Sequence, residues 1–198
     1  MTLLADKAAW RARLLATRRT LSPDRLAAAA DTLRTHLLPR LAPAGRVAAY
    51  IPVGSEPGSV DLLDDLRGQG TAVLLPVALA DGELDWAPYT GRDDLIAGRL
   101  GLREPAGRRL GAAALAGADV VLVPAFAVDH AGTRLGRGAG YFDRALARVR
   151  PGVPVVALLH DGELIPQLPA DPWDRPVTAA FAPLRGWTDL PLVAHHVS

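Results

Sequence analysis

Four consecutive apolar residues, Val120-Val121-Leu122-Val123, are stopped by Pro124, and a short way on glycine occupies every second position: Gly136, Gly138 and Gly140. The apolar run reads as a buried strand and Asp129-His130-Ala131-Gly132-Thr133 as a polar turn, while Tyr141-Phe142-Asp143 opens a helix. Strand, glycine-rich crossing and helix start in that order point to an α/β architecture. The same stretch points to chemistry. Glycines without a Cβ let backbone N–H groups close on an anion, and a helix start adds partial positive charge. Arg134 and Arg137 are threaded through the segment, and guanidinium groups grip phosphate oxygens in pairs. The residues thus describe a polyphosphate cradle, with Asp143 just beyond it as a carboxylate for magnesium. A glycine-rich surface turn with solvated arginines is the plainer alternative. Two commoner cradles are excluded: Tyr141 stands where a dinucleotide fingerprint has its third glycine, and a P-loop needs a lysine that this segment lacks.

The elements around it agree. A strand over Val47–Ile51, a helix over Val60–Arg67 capped by Ser59, and a strand over Ala72–Leu75 closed by Pro76 make a right-handed parallel unit. Helices are also predicted over 4–19, from Ser22-Pro23 to Leu38 (ended by Pro39 and Pro43), and over 142–150. Leu84–Tyr89 reads as an antiparallel or edge strand. Further buried strands are predicted over 153–159 and 177–181, with 183–198 a loosely held tail.

The chain of 198 residues fits one domain. A formal charge of +1, with basic residues scattered along the chain, leaves no case for nucleic acid. The absence of cysteine excludes disulfides, thiolate metal sites and a thiol nucleophile. Leu110–Val128 is long and nearly uncharged, but Asp119, Pro124, Gly111 and Gly117 make it a strand with a small-residue turn before it, not a membrane span. No signal peptide is expected, since Asp6-Lys7 cuts the first apolar residues short, and a soluble cytoplasmic monomer is the expectation.

Of the 22 basic residues only Lys7 is lysine. Lys7 and Arg11 are four apart on one helix face, either a solvated basic surface or two cations that an anion would bridge. Glu56 is the only acid in the turn-rich loop 52–59, either an exposed carboxylate or a partner for an N–H-rich heterocycle. His160-Asp161-Gly162-Glu163 admits a metal or acid–base role, or a polar strand end.

The run Val123-Pro124 … Asp129 … Gly132 … Arg134-Leu135-Gly136-Arg137-Gly138-Ala139-Gly140-Tyr141-Phe142-Asp143 closely resembles the signature of the 5-formyltetrahydrofolate cyclo-ligase, or methenyltetrahydrofolate synthetase, family. Lys7-x-x-x-Arg11, Tyr50-Ile51-Pro52 with Glu56, Gly98 to Glu104-Pro105, and Asp174 resemble further family elements in the same order. The resemblance implies a three-layer α/β/α fold with a mixed, mainly parallel, Rossmann-like sheet. It implies ATP- and Mg²⁺-dependent closure of 5-formyltetrahydrofolate to 5,10-methenyltetrahydrofolate. By that resemblance Lys7, Arg11 and the stretch Arg134, Leu135, Gly136, Arg137, Gly138, Ala139, Gly140, Tyr141, Phe142 bind ATP. Arg134, Arg137 and Tyr141 serve catalysis, Ile51 and Glu56 hold the folate, and Asp143 and Asp174 hold Mg²⁺. Three positions depart from the family's habit: Ala139 for a frequent Gly or Lys, Leu100 for an aromatic residue, and Trp173 for His or Asn. Alternatives are an ATP-using relative acting on another formylated or carboxylated amine, a non-catalytic folate or nucleotide binder, and a phosphosugar-binding domain.

Overall fold

The computed structural model of the protein describes residues 7–192. In chain order its first half comprises α1 (Lys7–Arg19), α2 (Pro23–Leu41), β1 (Arg46–Ala48), α3 (Val60–Gly68), β2 (Ala72–Ala78), β3 (Leu84–Pro88), β4 (Leu95–Ala97) and β5 (Arg103–Pro105). Then come β6 (Val120–Pro124), β7 (Ala127–Asp129), β8 (Arg134–Leu135), α4 (Tyr141–Leu146), β9 (Val155–Leu158), β10 (Leu164–Ile165), β11 (Ala179–Ala182) and β12 (Gly186–Asp189). Seven strands form the main sheet in the order β12-β11-β9-β6-β1-β2-β3. The five inner strands are mutually parallel, and β12 and β3 pair antiparallel at the two edges.

Why the inner strands are apolar on both faces is visible in β6. Val121 and Val123 pack with Ala145 and Leu146 of α4 and with Trp86, whereas Leu122 packs on the opposite face with Leu33 and Leu37 of α2 and Leu62 and Leu66 of α3. Helices therefore cover both faces of a mixed, mostly parallel sheet, the three-layer arrangement expected from the sequence.

Three local expectations needed correction. The second helix runs through Pro39 to Leu41: the bond Pro39 cannot donate is lost, but Ala42 donates to the Leu38 carbonyl at 2.9 Å and Leu41 is buried, which hold the last turn. The fourth helix is only six residues long. Beyond it Arg148 and Val149 donate to the carbonyls three residues back, and the proline at 151 disfavours helical backbone at 150. A helix so short contributes little dipole, so the cradle depends on side chains and loop amides more than the sequence suggested. Finally, the supposed tail supplies β12, which covers what would otherwise be the bare edge of β11. Residues 193–198 of that tail, and 4–6 of the first predicted helix, lie outside the described residues.

The polar turn 129–133 proves to be the tip of a hairpin, β7 against β8, with β10 alongside β7 in a second, small sheet. Asp129 is buried there and accepts N–H bonds from Ala131 (3.0 Å), Thr133 (2.8 Å) and Leu168 (3.0 Å). Gly132 sits at φ +90° with an added Cβ only 2.5 Å from the Val177 carbonyl oxygen, so no other residue fits this tip. Leu14 of α1 packs on this small sheet with Ala127, Leu135 and Leu168. That docking brings α1 to the cradle. Among the described residues no helix is long and apolar enough to cross a membrane.

Candidate active site

A cavity of ≈ 290 Å³ opens where loops leave the ends of β1 and β6. The residues to which the family resemblance assigned roles all line it: Lys7 and Arg11 on α1, Ile51 and Glu56 after β1, the whole stretch Arg134–Asp143, and Asp174; His160, Asp161 and Glu163 do not. Tyr50, Leu75, Pro76, Leu84 and Leu102 add apolar wall.

Each cation there has an acceptor in the protein. Lys7 Nζ donates to Asp171 and Asp174, both at 2.6 Å. Arg11 Nε donates to the Gly136 carbonyl at 2.8 Å. Arg134, whose side chain is only 3% exposed, donates to Asp143 at 2.9 Å and to the Pro124 carbonyl at 3.3 Å, and its guanidinium lies 5.8 Å from the centre of the Phe142 ring. Its Nε is buried without a partner. Arg137 Nε donates to Glu56 at 2.9 Å, while the other Glu56 oxygen accepts the Val53 N–H at 3.0 Å. The cradle backbone is shaped for this crowding. Gly138 has φ +102°, and a Cβ there would sit 3.2 Å from the Arg11 guanidinium carbon. Tyr141 is held by its hydroxyl, which donates to the Leu79 carbonyl at 3.2 Å.

Burial pulls the Lys7 ammonium toward deprotonation, but its hydrogen bonds to Asp171 and Asp174 outweigh that and leave the pKa above its ordinary 10.5. A raised pKa stabilises the folded state fully below the unfolded value, and that stability is lost as pH rises through the folded one. The stability difference between the wild type and Lys7→Met should therefore stay constant from neutral pH to about pH 10 and shrink only above it. A midpoint series in urea checks this. Burial, then the nearby Glu56 carboxylate, raises the Tyr50 hydroxyl well above 10.0, so it stays protonated and donates to the Pro57 carbonyl.

The sequence profile of the 5-formyltetrahydrofolate cyclo-ligase family matches residues 4–183. This chain belongs to that family. The 5-formyltetrahydrofolate cyclo-ligase of Mycolicibacterium smegmatis is 43% identical over 186 residues, covering 91% of this chain and 95% of the relative. The Escherichia coli K12 cyclo-ligase is 30% identical over 179 residues, covering 86% and 96%. In three dimensions the 5,10-methenyltetrahydrofolate synthetase of Aquifex aeolicus, solved by NMR, superposes with a TM-score of 0.80 at 27% identity, covering 96% of this chain and 98% of that one.

Several residues of this cyclo-ligase family site escaped the sequence reading. Asp171 shares Lys7 with Asp174 and stands three residues before it, a spacing that could have flagged it. Arg18 lines the cavity one further step along the same face of α1 as Lys7 and Arg11. Its partner, Glu163, belongs to the quartet first weighed for metal or acid–base roles, and His160 of that quartet is a buried strand-end residue. Among the described residues no group of three or more His, Cys, Asp or Glu is placed to hold a metal by itself.

Proposed function

We propose that this cyclo-ligase family member closes 5-formyltetrahydrofolate to 5,10-methenyltetrahydrofolate, using ATP as the phosphoryl donor. The observation that carries the reading is Arg134: a buried guanidinium in the cavity wall, beside a carboxylate, with its Nε–H unsatisfied. A buried donor without an acceptor costs free energy that a ligand oxygen would recover. A formamide oxygen is a poor leaving group. Its attack on the γ-phosphorus breaks the bond to ADP, and the N5 lone pair moves in to give an iminium phosphate. N10 then attacks that carbon and loses its proton, the carbon–oxygen bond breaks, and inorganic phosphate departs.

Such phosphoryl transfer requires positioning and charge neutralisation. Arg134, Arg137, Lys7 and Arg11 take the phosphate oxygens, supported by the loop amides of Leu135 to Gly140. Phe142 backs the Arg134 guanidinium, and Tyr141, fixed by Leu79, packs against the bound substrates. Glu56 accepts donors from the pterin edge, and Ile51 supplies apolar wall. Asp143 and Asp174 are hard oxygen donors, and a pair of carboxylates suits Mg²⁺, which commonly takes one or two and completes its shell with phosphates and water. When bound by these two residues, the ion would supply charge neutralisation for the phosphate groups.

The test is absorbance of methenyltetrahydrofolate after mixing protein, 5-formyltetrahydrofolate and MgATP. A rise that requires ATP is expected. Binding of ATP with no rise would redirect the reading to another formylated or carboxylated amine.

A further inference from the structure

Lys7, Arg11, Leu14 and Arg18 follow one another along a single face of α1. The first two reach the cradle, Leu14 is buried, and Arg18 is only 2% exposed. Arg18 forms a two-pronged pair with Glu163, Nε to Oε1 at 2.7 Å and a terminal nitrogen to Oε2 at 2.8 Å. That terminal nitrogen also donates to the Ala125 carbonyl at 2.6 Å, and the guanidinium lies 5.1 Å from the centre of the Phe126 ring. Glu163 is itself buried; its Oε2 accepts the His160 N–H at 2.7 Å, and its carbonyl accepts the Val128 N–H at 3.0 Å. His160 Nε2 lies 2.9 Å from the carbonyl oxygen of Ser55, the residue before Glu56. A continuous chain of hydrogen bonds thus runs from α1 to the loop that carries Glu56.

A buried ion pair is a poor source of net stability, because desolvation offsets its attraction. What this pair holds is geometry. We propose that Arg18 and Glu163 are positioning residues for the reaction, fixing from one point both the helix that presents Lys7 and Arg11 and the loop that presents Glu56. What binds at each place rests on the function proposed above; what the pair holds in place does not.

Glu163→Gln keeps the shape and removes the charge. It should raise KM for MgATP and KM for 5-formyltetrahydrofolate together, each about tenfold, with kcat within about threefold of wild type. Amide hydrogen exchange at Val53, Ser55 and Glu56 should quicken by a similar factor. Arg18→Lys, which retains charge but loses the fork, should move the same quantities less. Leu33→Ala, in the core beneath α2, should lower Tm without moving either KM. If single variants fold poorly, Arg18→Met with Glu163→Leu restores an apolar fit. That double variant should be stable and still show raised KM values. Unchanged KM values and unchanged exchange at 53–56 in Glu163→Gln would overturn the proposal, whatever happened to Tm. A wild type without ATP-dependent turnover would instead sink the function reading, and the exchange rates would still decide the positioning role.

Discussion

Arg134→Ala is expected to lower kcat/KM by on the order of 10³-fold, about 4 kcal/mol of transition-state stabilisation, while the protein still folds. The loss is large because this guanidinium is preorganised. Its side chain is almost sealed from water, it is braced by Asp143, Pro124 and Phe142, and its Nε–H has no protein partner. Charge placed that way needs no rearrangement when negative charge develops on a transferring phosphoryl group. Folding should survive because Asp143, the carboxylate left behind, is 19% exposed and keeps a weak contact from the Arg175 N–H at 3.4 Å. Arg134→Lys should fall between, restoring charge without the planar fork. Steady-state turnover with ATP varied, together with a circular dichroism melt, separates the two effects. Intact ATP turnover in Arg134→Ala would remove this residue from the phosphate site.

Glu56→Gln should raise the folate KM by about 10- to 100-fold, the range for a hydrogen bond that loses its charge assistance. Nucleotide KM should hold or fall. The asymmetry follows from the 2.9 Å contact between Glu56 and Arg137, two residues assigned to different ligands. A glutamine amide can still accept the Val53 N–H, but it no longer holds Arg137, which is left available for phosphate. Calorimetric titration with each ligand alone would show this directly. A raised nucleotide KM with folate binding untouched would place Glu56 on the nucleotide side instead.

What the sequence made legible here was local. The β6 run, the Ser22 and Ser59 caps and the alternating glycines each depend on a few neighbouring residues, and each stands where periodicity and turn chemistry placed it. That the stretch Arg134–Asp143 would lie together was legible for the same reason, since it is contiguous, and it lines one cavity. What could not be read was decided by partners distant along the chain. Arg18 and Glu163 are separated by 145 positions, and Lys7 and Asp171 by 164. In sequence each is merely a charged side chain with a solvated alternative. The strand at 186–189 was missed because Gly-Trp-Thr-Asp has no apolar alternation; it becomes a strand by pairing with an edge that already exists. Pro39 misled in the opposite direction, since breaking a helix at a proline presumes more helix to come.

The cradle is not a bare positive hollow. Lys7 is shared by two aspartates, Arg134 faces Asp143, Arg137 faces Glu56, and Arg11 rests on a carbonyl. An inorganic anion entering here would compete with carboxylates for Lys7, Arg134 and Arg137 and would offer those carboxylates no new partner. A nucleotide arriving with a divalent cation, or a heterocycle arriving with its own N–H groups, brings a new partner for the carboxylate it displaces. On the function proposed, ligands would enter by exchange of partners, and inorganic phosphate alone should compete poorly with MgATP.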